Sequence, residues 1–256
     1  RVCSGMNESL LTACPIFGPP MISPKVLIPL PSKDFDVTEV AVPWRMLTEA
    51  GYSVVFATED GSPGQADPLL LTGVIFGQLG ADPEPKEFYG EMTQSAEFLA
   101  PLTWAELKPA DFDGLILPGG HAPGMRQFLG SERLHSFVAD FWALKRPVGA
   151  ICHGTIVLAR SRRADGKSVL HGMRTSSLPA YMERLAYYLT AWKLGKYYRT
   201  YPEYVQAEVE SALASTADYQ RGPITFTRGT AANHKHAFVV EDGHYVSARW
   251  PGDAYL

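Results

Sequence analysis

The chain has 256 residues, of which 46% are hydrophobic and 20% charged, and its formal net charge is −4. This composition is typical of folded globular proteins and excludes a disordered or collagen-like chain. At roughly 150 residues per domain, the length allows one large domain or two small ones. The acidic balance provides no basic surface for phosphates, so we expect a small-molecule substrate rather than nucleic acid or a membrane as the partner.

No segment of the sequence predicts a membrane helix or a disulfide framework. No apolar run approaches the ~20 residues that a membrane-spanning helix requires. Residues 9–17 are too short for a signal peptide and lack its basic flank. The 3 cysteines are too few for a disulfide scaffold, which suits a reducing compartment. We therefore predict a cytoplasmic protein.

An irregular arm is predicted ahead of a single ordered domain. Residues 1–24 lack a sustained hydrophobic period, and Gly-Pro-Pro at 18–20 would interrupt any element that starts there. We assign residues 25–256 to one α/β domain. Two insertions are expected in it, near residues 60–110 and 180–215, because proline, glycine and aromatic residues there interrupt the alternation of strands and helices.

Strand and helix patterns alternate at the start of the domain. Residues 25–30 and 52–58 are short apolar runs typical of buried strands, and apolar residues from Val40 to Leu47 recur at helical spacing between them. Pro43 falls inside that helix, where it would kink the helix or move its start. A strand, a helix and a strand form a βαβ unit, which predicts a mostly parallel sheet covered by helices.

Two further pairs of strand and helix follow. Residues 113–117 predict a third strand that ends in glycines, and Ser131 is typical of an N-cap for the helix after it. Residues 147–152 predict a fourth strand, and residues 153–160 predict the helix that leaves it. Cys152 therefore falls on the joint between a strand and a helix.

The last part of the chain predicts two helices and two strands. The helices are expected at about residues 180–193 and 202–214, and the strands at residues 223–227 and 238–250, the second strand region being folded as a hairpin. One apolar stripe of the first helix is interpreted as core packing rather than as a ligand-stacking surface. Its members are Leu185, Tyr188, Leu189 and Trp192.

Cys152 has the local sequence of a nucleophile. In Ala150-Ile-Cys-His-Gly154 the thiol stands at a sharp turn from strand to helix, and nearby glycines leave room for a tight backbone. The N–H groups of the helix that begins at His153 would favour thiolate and lower the pKa of Cys152. The alternative is that Cys152 is a small buried hydrophobic residue, the usual fate of a free cysteine.

Backbone amides near the joint are candidates for holding negative charge. The pair Gly119-Gly120 ends the strand expected beside that of Cys152, and ligands of open parallel sheets bind beyond the carboxyl ends of the strands. An amide of this pair or of Gly154 would complete an oxyanion hole. His121 directly follows the pair and would line the pocket, although a surface position fits the pattern equally well.

The combination of Leu117-Pro-Gly-Gly120 with Ala150-Ile-Cys-His-Gly154 resembles the DJ-1/PfpI (ThiJ/PfpI) superfamily. The resemblance extends over about residues 25–248. It implies a three-layer α/β sandwich with a mostly parallel central sheet, of the flavodoxin-like and class I glutamine amidotransferase-like kind, that carries a nucleophile elbow. A histidine directly after the cysteine is similar to the branch of PfpI-type peptidases and of heat-shock chaperones with glyoxalase III activity.

The resemblance also implies which residues assist the cysteine. Glu39 looks like the glutamate that reaches the reactive cysteine in that family, and Glu183 is the best match for the acid that completes a Cys-His-Glu triad in the chaperone-like branch. His234-Lys-His236 lacks the Pro-Glu that follows the histidine in class I glutamine amidotransferases, which argues against their chemistry.

Three functional hypotheses follow from these residues. The first is a glyoxalase III-like lyase or deglycase in which Cys152 attacks a small reactive carbonyl, His153 moves protons, Glu183 orients His153, and Glu39, with its pKa raised by burial, moves a proton on the adduct. The second is a peptidase or amidase that uses the same residues through an acyl-enzyme. The third is a stress chaperone or a redox sensor whose thiol is oxidised.

Neither a cofactor nor a metal is predicted for this chemistry. The His-x-His of residues 234–236 lacks an evident third ligand. The resemblance implies a homodimer, whereas the sequence itself identifies no interface.

Overall fold

The structure is a computed structural model that describes residues 23–256. The predicted arm of residues 1–24 lies almost entirely outside the described residues, as do Cys3 and Cys14. Within residues 23–256, no helix is both long enough and apolar enough to cross a membrane.

A mostly parallel β-sheet forms the centre of the fold. The strands of the described residues are β1 (Lys25–Pro29), β2 (Lys33–Phe35), β3 (Ser53–Thr58), β4 (Gln65–Ala66), β5 (Leu102–Thr103), β6 (Gly114–Leu117), β7 (Val148–Ile151), β8 (Val239–Asp242) and β9 (Tyr245–Ala248). The main sheet has the order β5-β3-β1-β6-β7-β9-β8. Its neighbours pair in parallel except β8 and β9, which are antiparallel, and β2 and β4 form a separate parallel pair.

Helices flank this sheet, which confirms the predicted α/β class. The helices of the described residues are α1 (Val37–Glu49), α2 (Pro68–Thr72), α3 (Pro83–Met92), α4 (Ala96–Leu99), α5 (Met125–Leu129), α6 (Glu132–Ala143), α7 (Gly154–Arg160), α8 (Ala180–Leu194) and α9 (Val205–Ala212). In β1 both Leu27 and Ile28 are fully buried. Because consecutive strand residues point to opposite faces, the sheet is covered on both sides at that strand.

The first helix begins earlier than its apolar spacing predicted. Asp36 is its N-cap, and the carboxylate accepts hydrogen bonds from the backbone N–H groups of Thr38 at 2.8 Å and of Glu39 at 3.1 Å. Pro43 lies inside α1 without ending it. The earlier start places Glu39 in the first turn, where its side chain is fully buried.

The segment of residues 60–110 is more regular than predicted and rejoins the sheet. It contains the three helices α2, α3 and α4, and its strand β5 pairs with β3 at the sheet edge. Pro83 and Pro85 lie in the first turn of α3, where the missing N–H group has no helical partner to lose. Pro83 and Pro85 are therefore compatible with the start of a helix and do not indicate a loop.

The C-terminal half differs from the prediction at one strand. Residues 223–227 form no strand, and the side chains of Ile224 and Phe226 are 64% and 57% exposed. β8 and β9 form the predicted hairpin, with Gly243 at φ +62° in the turn. The helices α8 and α9 lie where they were predicted.

The apolar stripe of α8 is not packed into the core, so that interpretation is wrong. Tyr188 and Trp192 are 70% and 69% exposed, and Leu185 and Leu189 are 40% and 45% exposed. The buried residues of this helix are Met182, Glu183 and Thr190. Part of the stripe borders a cavity beside the candidate site, as described below.

Candidate active site

Cys152 occupies a strained turn between β7 and α7. Its φ is +57°, a left-handed conformation that costs a residue with a Cβ on the order of 1–2 kcal/mol. A residue held in this way, between a strand and the helix that follows it, is a nucleophile elbow. The predicted joint is therefore confirmed in position.

Close backbone packing explains the glycine after the elbow. A Cβ on Gly154 would lie 2.0 Å from the carbonyl oxygen of Leu117 in the neighbouring strand β6. No side chain fits there, so Gly154 lets the start of α7 approach the end of β6. This contact fixes the elbow relative to the sheet.

The sulfur of Cys152 is buried beside an imidazole and a carboxyl group. Its side chain is fully buried, and Sγ lies 3.4 Å from Nδ1 of His153. The backbone N–H of His153 lowers the pKa of Cys152, whereas the charge of Glu39 raises it. Cys152 therefore has polar partners for proton transfer and is not merely a buried hydrophobic residue.

Glu39 reaches the elbow from α1 across the end of β6. Its Oε2 accepts a hydrogen bond from the N–H of Gly119 at 2.8 Å, and a Cβ on Gly119 would lie 2.7 Å from that oxygen. Its Oε1 is buried and has no hydrogen-bond partner among residues 23–256. Burial, followed by the charge of Asp36, raises the pKa of Glu39 well above 4.5.

The predicted thiolate is not the resting form of Cys152. Burial, followed by the charges of Glu39 and Asp36, raises the pKa of Cys152 well above 9.0. Burial lowers the pKa of His153 well below 6.5, with His121 and Arg199 adding to the effect. At neutral pH the site therefore holds a thiol next to a neutral imidazole, which is able to accept the thiol proton during attack.

Thr200 occupies the far side of the His153 ring. Its Oγ1 lies 3.3 Å from Nε2 of His153 and donates a hydrogen bond to the backbone carbonyl of His121. Thr200 lies in the segment between α8 and α9, and no pattern in the sequence signalled its role. The structure thus places a hydroxyl where an acid was expected.

Glu183 lies outside hydrogen-bond contact with His153. Its Oε1 pairs with Nη1 of Arg199 at 3.2 Å, and its Oε2 accepts a hydrogen bond from the N–H of Val205 at 3.0 Å. No hydrogen bond joins Glu183 to His153 within the described part of the chain. Because both carboxylate oxygens have other partners, the triad that the resemblance implied is not formed by direct contact.

His121 packs against His153 at the edge of the site. The two rings meet edge to face with centroids 4.8 Å apart, and the ring of Tyr198 lies 5.8 Å away on another side. The Nε2 of His121 is buried and, within the described residues, has no hydrogen-bond partner. Burial lowers the pKa of His121 to about 4, so the ring is neutral and free to contact a substrate oxygen.

The two glycines after β6, Gly119 and Gly120, contribute to the site in different ways. The N–H of Gly119 is already used by Glu39, so this amide positions the acid. Gly120 has φ +156°, and a Cβ there would lie 2.7 Å from the carbonyl oxygen of Asp34. The amides of Gly120 and Gly154 remain predicted donors for an oxyanion.

Asp36 is a functional candidate that sequence reasoning missed. It is buried at the N-terminus of α1, and its charge raises the pKa of both Glu39 and Cys152. Burial raises the pKa of Asp36 itself to about 6. An aspartate directly ahead of a helical pattern is an N-cap signal, which would have located the residue but not its electrostatic effect.

A cavity of about 200 Å³ opens beside these residues. Asp36 and His121 form part of its lining, together with apolar residues of α8 and the segment before β8. Because His121 also packs on His153, the cavity adjoins the group that contacts the sulfur. Cys152 and His153 do not line the cavity themselves, so His121 is the residue that connects it to the elbow.

Three side chains of the site have the donor types of a soft metal site. Candidate ligand atoms of His121, Cys152 and His153 all lie within 4.8 Å of one another. Two imidazoles and a thiolate suit zinc, whose bonds of about 2.0–2.3 Å require a closer approach than this. Coordination would also occupy the sulfur that has to attack, so metal binding and thiol chemistry compete at Cys152.

The fold and the site together define a class of protein. A strained cysteine follows a central parallel strand, and an imidazole and a carboxyl group whose pKa is raised by burial lie beside it. This is an α/β protein with a cysteine nucleophile elbow. The chain belongs to the ThiJ/PfpI family: the family described as ThiJ/PfpI family-like matches residues 30–223.

Relatives and solved structures agree with this assignment. An uncharacterized protein of Schizosaccharomyces pombe is 34% identical over 241 residues, which cover 91% of this chain and 80% of that protein. A deglycase of Pyrococcus abyssi is 26% identical over 231 residues, or 90% of this chain and 93% of that one. The crystal structure of glyoxalase III from Candida albicans has a TM-score of 0.65 at 20% identity, covering 91% of this chain and 93% of that one.

Proposed function

We propose that the protein is a cysteine-dependent enzyme that converts small α-oxoaldehydes to 2-hydroxy acids, as a glyoxalase III does, without a cofactor. The observation that carries this proposal is the sulfur of Cys152 lying 3.4 Å from Nδ1 of His153. Burial favours the neutral form of both neighbouring groups, because it lowers the pKa of His153 and raises the pKa of Glu39. The names of the deglycase and glyoxalase III to which the chain is similar support the same substrate class.

The first half of the reaction forms a covalent adduct. The sulfur of Cys152 bonds to the aldehyde carbon while His153 takes the thiol proton, and Glu39 gives its proton to the aldehyde oxygen. The product is a hemithioacetal, with an imidazolium and a carboxylate left in the site. Glu39, now ionised, removes the hydrogen of that carbon as a proton, and the imidazolium protonates the neighbouring ketone oxygen to give an enediol.

The second half releases the acid. Glu39 returns its proton to the neighbouring carbon while the first hydroxyl proton passes to His153, and this gives a thioester of a 2-hydroxy acid. Glu39 then takes a proton from a water molecule as the water oxygen bonds to the thioester carbon, and the imidazolium of His153 protonates the sulfur as the carbon–sulfur bond breaks. The water oxygen remains in the carboxyl group, and the thiol, the neutral imidazole and the protonated Glu39 are restored. One carbon is oxidised and its neighbour is reduced, so the step consumes only water.

Burial of the nucleophile favours this reaction over peptide cleavage. The Cys152 side chain is fully buried, and the adjoining cavity measures about 200 Å³. A small aldehyde fits such a space, whereas a peptide segment would require the surrounding helices to separate. Failure to cleave unstructured peptides, together with turnover of small aldehydes, is therefore expected.

The decisive experiment removes the sulfur. Cys152→Ala should abolish turnover of methylglyoxal while the melting temperature stays close to that of the unaltered protein. Cys3→Ser and Cys14→Ser serve as matched thiol controls and should keep full activity. Intact-protein mass spectrometry should detect an aldehyde adduct that is lost only in the Cys152 variant, and unchanged turnover by that variant would refute the proposal.

We also propose a homodimer, which the family resemblance implies, and a cytoplasmic location, which the small number of cysteines suits. A shape-independent mass from sedimentation equilibrium at micromolar concentration should correspond to two chains. A mass of one chain would overturn the oligomeric part alone.

A further inference from the structure

The cavity beside the candidate site has both polar and apolar lining residues. The polar ones are Asp36, His121, Thr190, Tyr198 and Arg228, of which His121 packs on His153. The larger apolar ones come from four parts of the fold: Leu70, Met182, Leu185, Leu189, Phe226 and Trp250. Such a division suits a ligand whose reactive group is polar and whose other end is apolar.

The apolar wall is left partly uncovered. Leu185, Leu189 and Phe226 are 40%, 45% and 57% exposed, although the first two were predicted to pack into the core. Burying apolar surface is favourable by about 25 cal/mol per Å². A ligand with an apolar group would cover these side chains, which the fold itself leaves in contact with solvent.

The size of the cavity fits an aromatic ring. An apolar cavity of about 150 Å³ is known to bind benzene, and this one measures about 200 Å³. A methyl group would leave most of that space unfilled. The volume therefore favours a substituent of ring size.

Two side chains of opposite charge line the cavity, Arg228 and Asp36. Nη1 of Arg228 donates to the carbonyl oxygen of Gly80 at 2.7 Å and lies 3.3 Å from Oδ1 of Asp82. An anionic ligand would be attracted by Arg228 and repelled by Asp36 when that residue is ionised. The lining therefore has no net preference for a charged ligand group, which is compatible with an uncharged one.

His121 connects the cavity to the sulfur. It lines the cavity, and one of its ring nitrogens lies within 4.8 Å of Sγ of Cys152. In an aryl α-oxoaldehyde the aldehyde carbon lies about 2.5 Å beyond the ring. A substrate with its ring in the cavity would therefore direct its dicarbonyl group toward the His121 side, where the sulfur lies.

We propose that the preferred substrates are α-oxoaldehydes with an aryl or branched alkyl group, bound with that group in this cavity. The inference rests on the proposed function and narrows its substrate class. His121, whose Nε2 has no hydrogen-bond partner in the described part of the chain, contacts the ketone oxygen. The bonds made and broken are those given above.

The test compares three substrates with the full-length protein. Methylglyoxal has the smallest substituent, phenylglyoxal carries a ring, and 4-methyl-2-oxopentanal carries a branched alkyl group with carbonyl electronics close to those of methylglyoxal. We expect kcat/KM to be at least about tenfold higher for both larger aldehydes, since each buried carbon adds to binding. The alkyl aldehyde controls for the greater electrophilicity of phenylglyoxal.

Two substitutions on α8 test whether the preference for large substrates arises in the cavity. Ala186 lines the cavity, and Ala191 on the same helix does not, so Ala186→Phe should fill the cavity and Ala191→Phe should not. The ratio of kcat/KM for the larger aldehydes to kcat/KM for methylglyoxal should fall to about onefold in Ala186→Phe and keep its original value in Ala191→Phe. Leu189→Gln, at an exposed wall position, provides a second variant that does not depend on repacking.

Each outcome supports or overturns the inference. A preference that is lost in Ala186→Phe or Leu189→Gln and kept in Ala191→Phe supports it. Equal rates for the three aldehydes, or a preference that survives both cavity variants in folded form, overturn it and leave the proposed function standing. Turnover of none of the three overturns the proposed function and the inference with it.

Discussion

The carboxyl group of the single residue Asp36 has two effects, which one substitution can separate. Its carboxylate caps α1, and its charge opposes ionisation of Cys152 and Glu39. Asparagine is an equally good N-cap but carries no charge. Asp36→Asn should therefore keep stability and lower the pKa of Cys152. The rate of Cys152 alkylation against pH, followed by peptide mass spectrometry, measures this shift.

The control for that prediction lies on the same helix. Glu49 is the last residue of α1 and is exposed, about 15 Å from Glu39 along the axis. Glu49→Gln removes one negative charge from α1 without changing the elbow, and its alkylation profile should coincide with that of the unaltered protein. Equal shifts in both variants would mean that net charge, and not Asp36, sets the pKa of the thiol.

Glu183 predicts a pH dependence of stability. Burial raises the pKa of Glu183 from 4.5 to about 7, although Arg199 and the N–H of Val205 act against the rise. Between pH 4.5 and 7 the unfolded chain loses this proton and the folded chain keeps it, so the free energy of unfolding falls as pH rises. The shift corresponds to a loss on the order of 3 kcal/mol above pH 7. Urea unfolding at several pH values measures it.

Glu183→Gln isolates this contribution from those of other acids. Glutamine keeps one of the two acceptor oxygens and does not titrate, so the loss of the other hydrogen bond adds an offset that does not change with pH. From pH 5 to 7.5, the free energy of unfolding of the unaltered protein should therefore fall relative to that of the Glu183→Gln variant. Parallel curves for the two proteins over that range would contradict the raised pKa of Glu183.

At the scale of the element, the turn from β7 to α7 depends on close packing. The Cβ of Gly154→Ala would lie 2.0 Å from the carbonyl oxygen of Leu117, so the substitution should cost about 3 kcal/mol or more. Gly90 in α3 is exposed and has nothing within 4 Å of an added Cβ. Gly90→Ala should instead stabilise the protein by about 0.5–1 kcal/mol. Thermal and urea unfolding would show opposite signs, and equal effects would remove the packing argument.

The helices and strands also show which sequence patterns were sufficient to predict secondary structure. Buried strands such as β1 and the capped helix α6 have strong apolar periods, and Ser131 caps α6 as predicted. The strand predicted at residues 223–227 has the same apolar composition but remains outside the sheet. An apolar pattern reports that a segment has an apolar side, and it does not report whether the fold offers a strand to pair with.

The exposed stripe of α8 shows the same limit of an apolar pattern in a helix. Leu185 and Leu189 were predicted to be core residues, and both instead border the cavity. Periodicity cannot distinguish a stripe that contacts the core from one that contacts a ligand, because both require an apolar face at helical spacing. That distinction depends on the neighbours that the fold provides.

At the scale of the whole molecule, the candidate site joins segments that are distant in sequence. The positions of Cys152 and His153 followed from a local motif, and Glu39 followed from the family resemblance. Thr200 comes from a segment of the chain with no motif of its own, and it contacts His153 only because the fold brings the two together. Contacts of this kind are set by tertiary packing and could not be predicted from spacing.

A buried ion pair connects the cavity wall to the sheet. Arg249 and Asp253 are fully buried, with bonds of 2.8 Å from both Nε and Nη2 to the carboxylate. Arg249 also donates to the carbonyl oxygen of Pro223 at 2.7 Å, and Asp253 accepts from the N–H of Phe238 at 2.9 Å. The segment held between these two points carries Phe226 of the cavity wall, so the pair supports the site as well as the fold.

Removing Arg249 alone should lower the free energy of unfolding more than removing the charges of both Arg249 and Asp253. Arg249→Met leaves an uncompensated buried carboxylate and should cost about 3–5 kcal/mol. Adding Asp253→Asn removes that charge, so the double variant should be more stable than Arg249→Met alone by about 1–2 kcal/mol. Arg163→Met, at the exposed pair with Asp165, should change stability by less than about 0.5 kcal/mol. Urea unfolding of the four proteins tests this order, and a double variant less stable than the single one would show that the pair does not act as a unit.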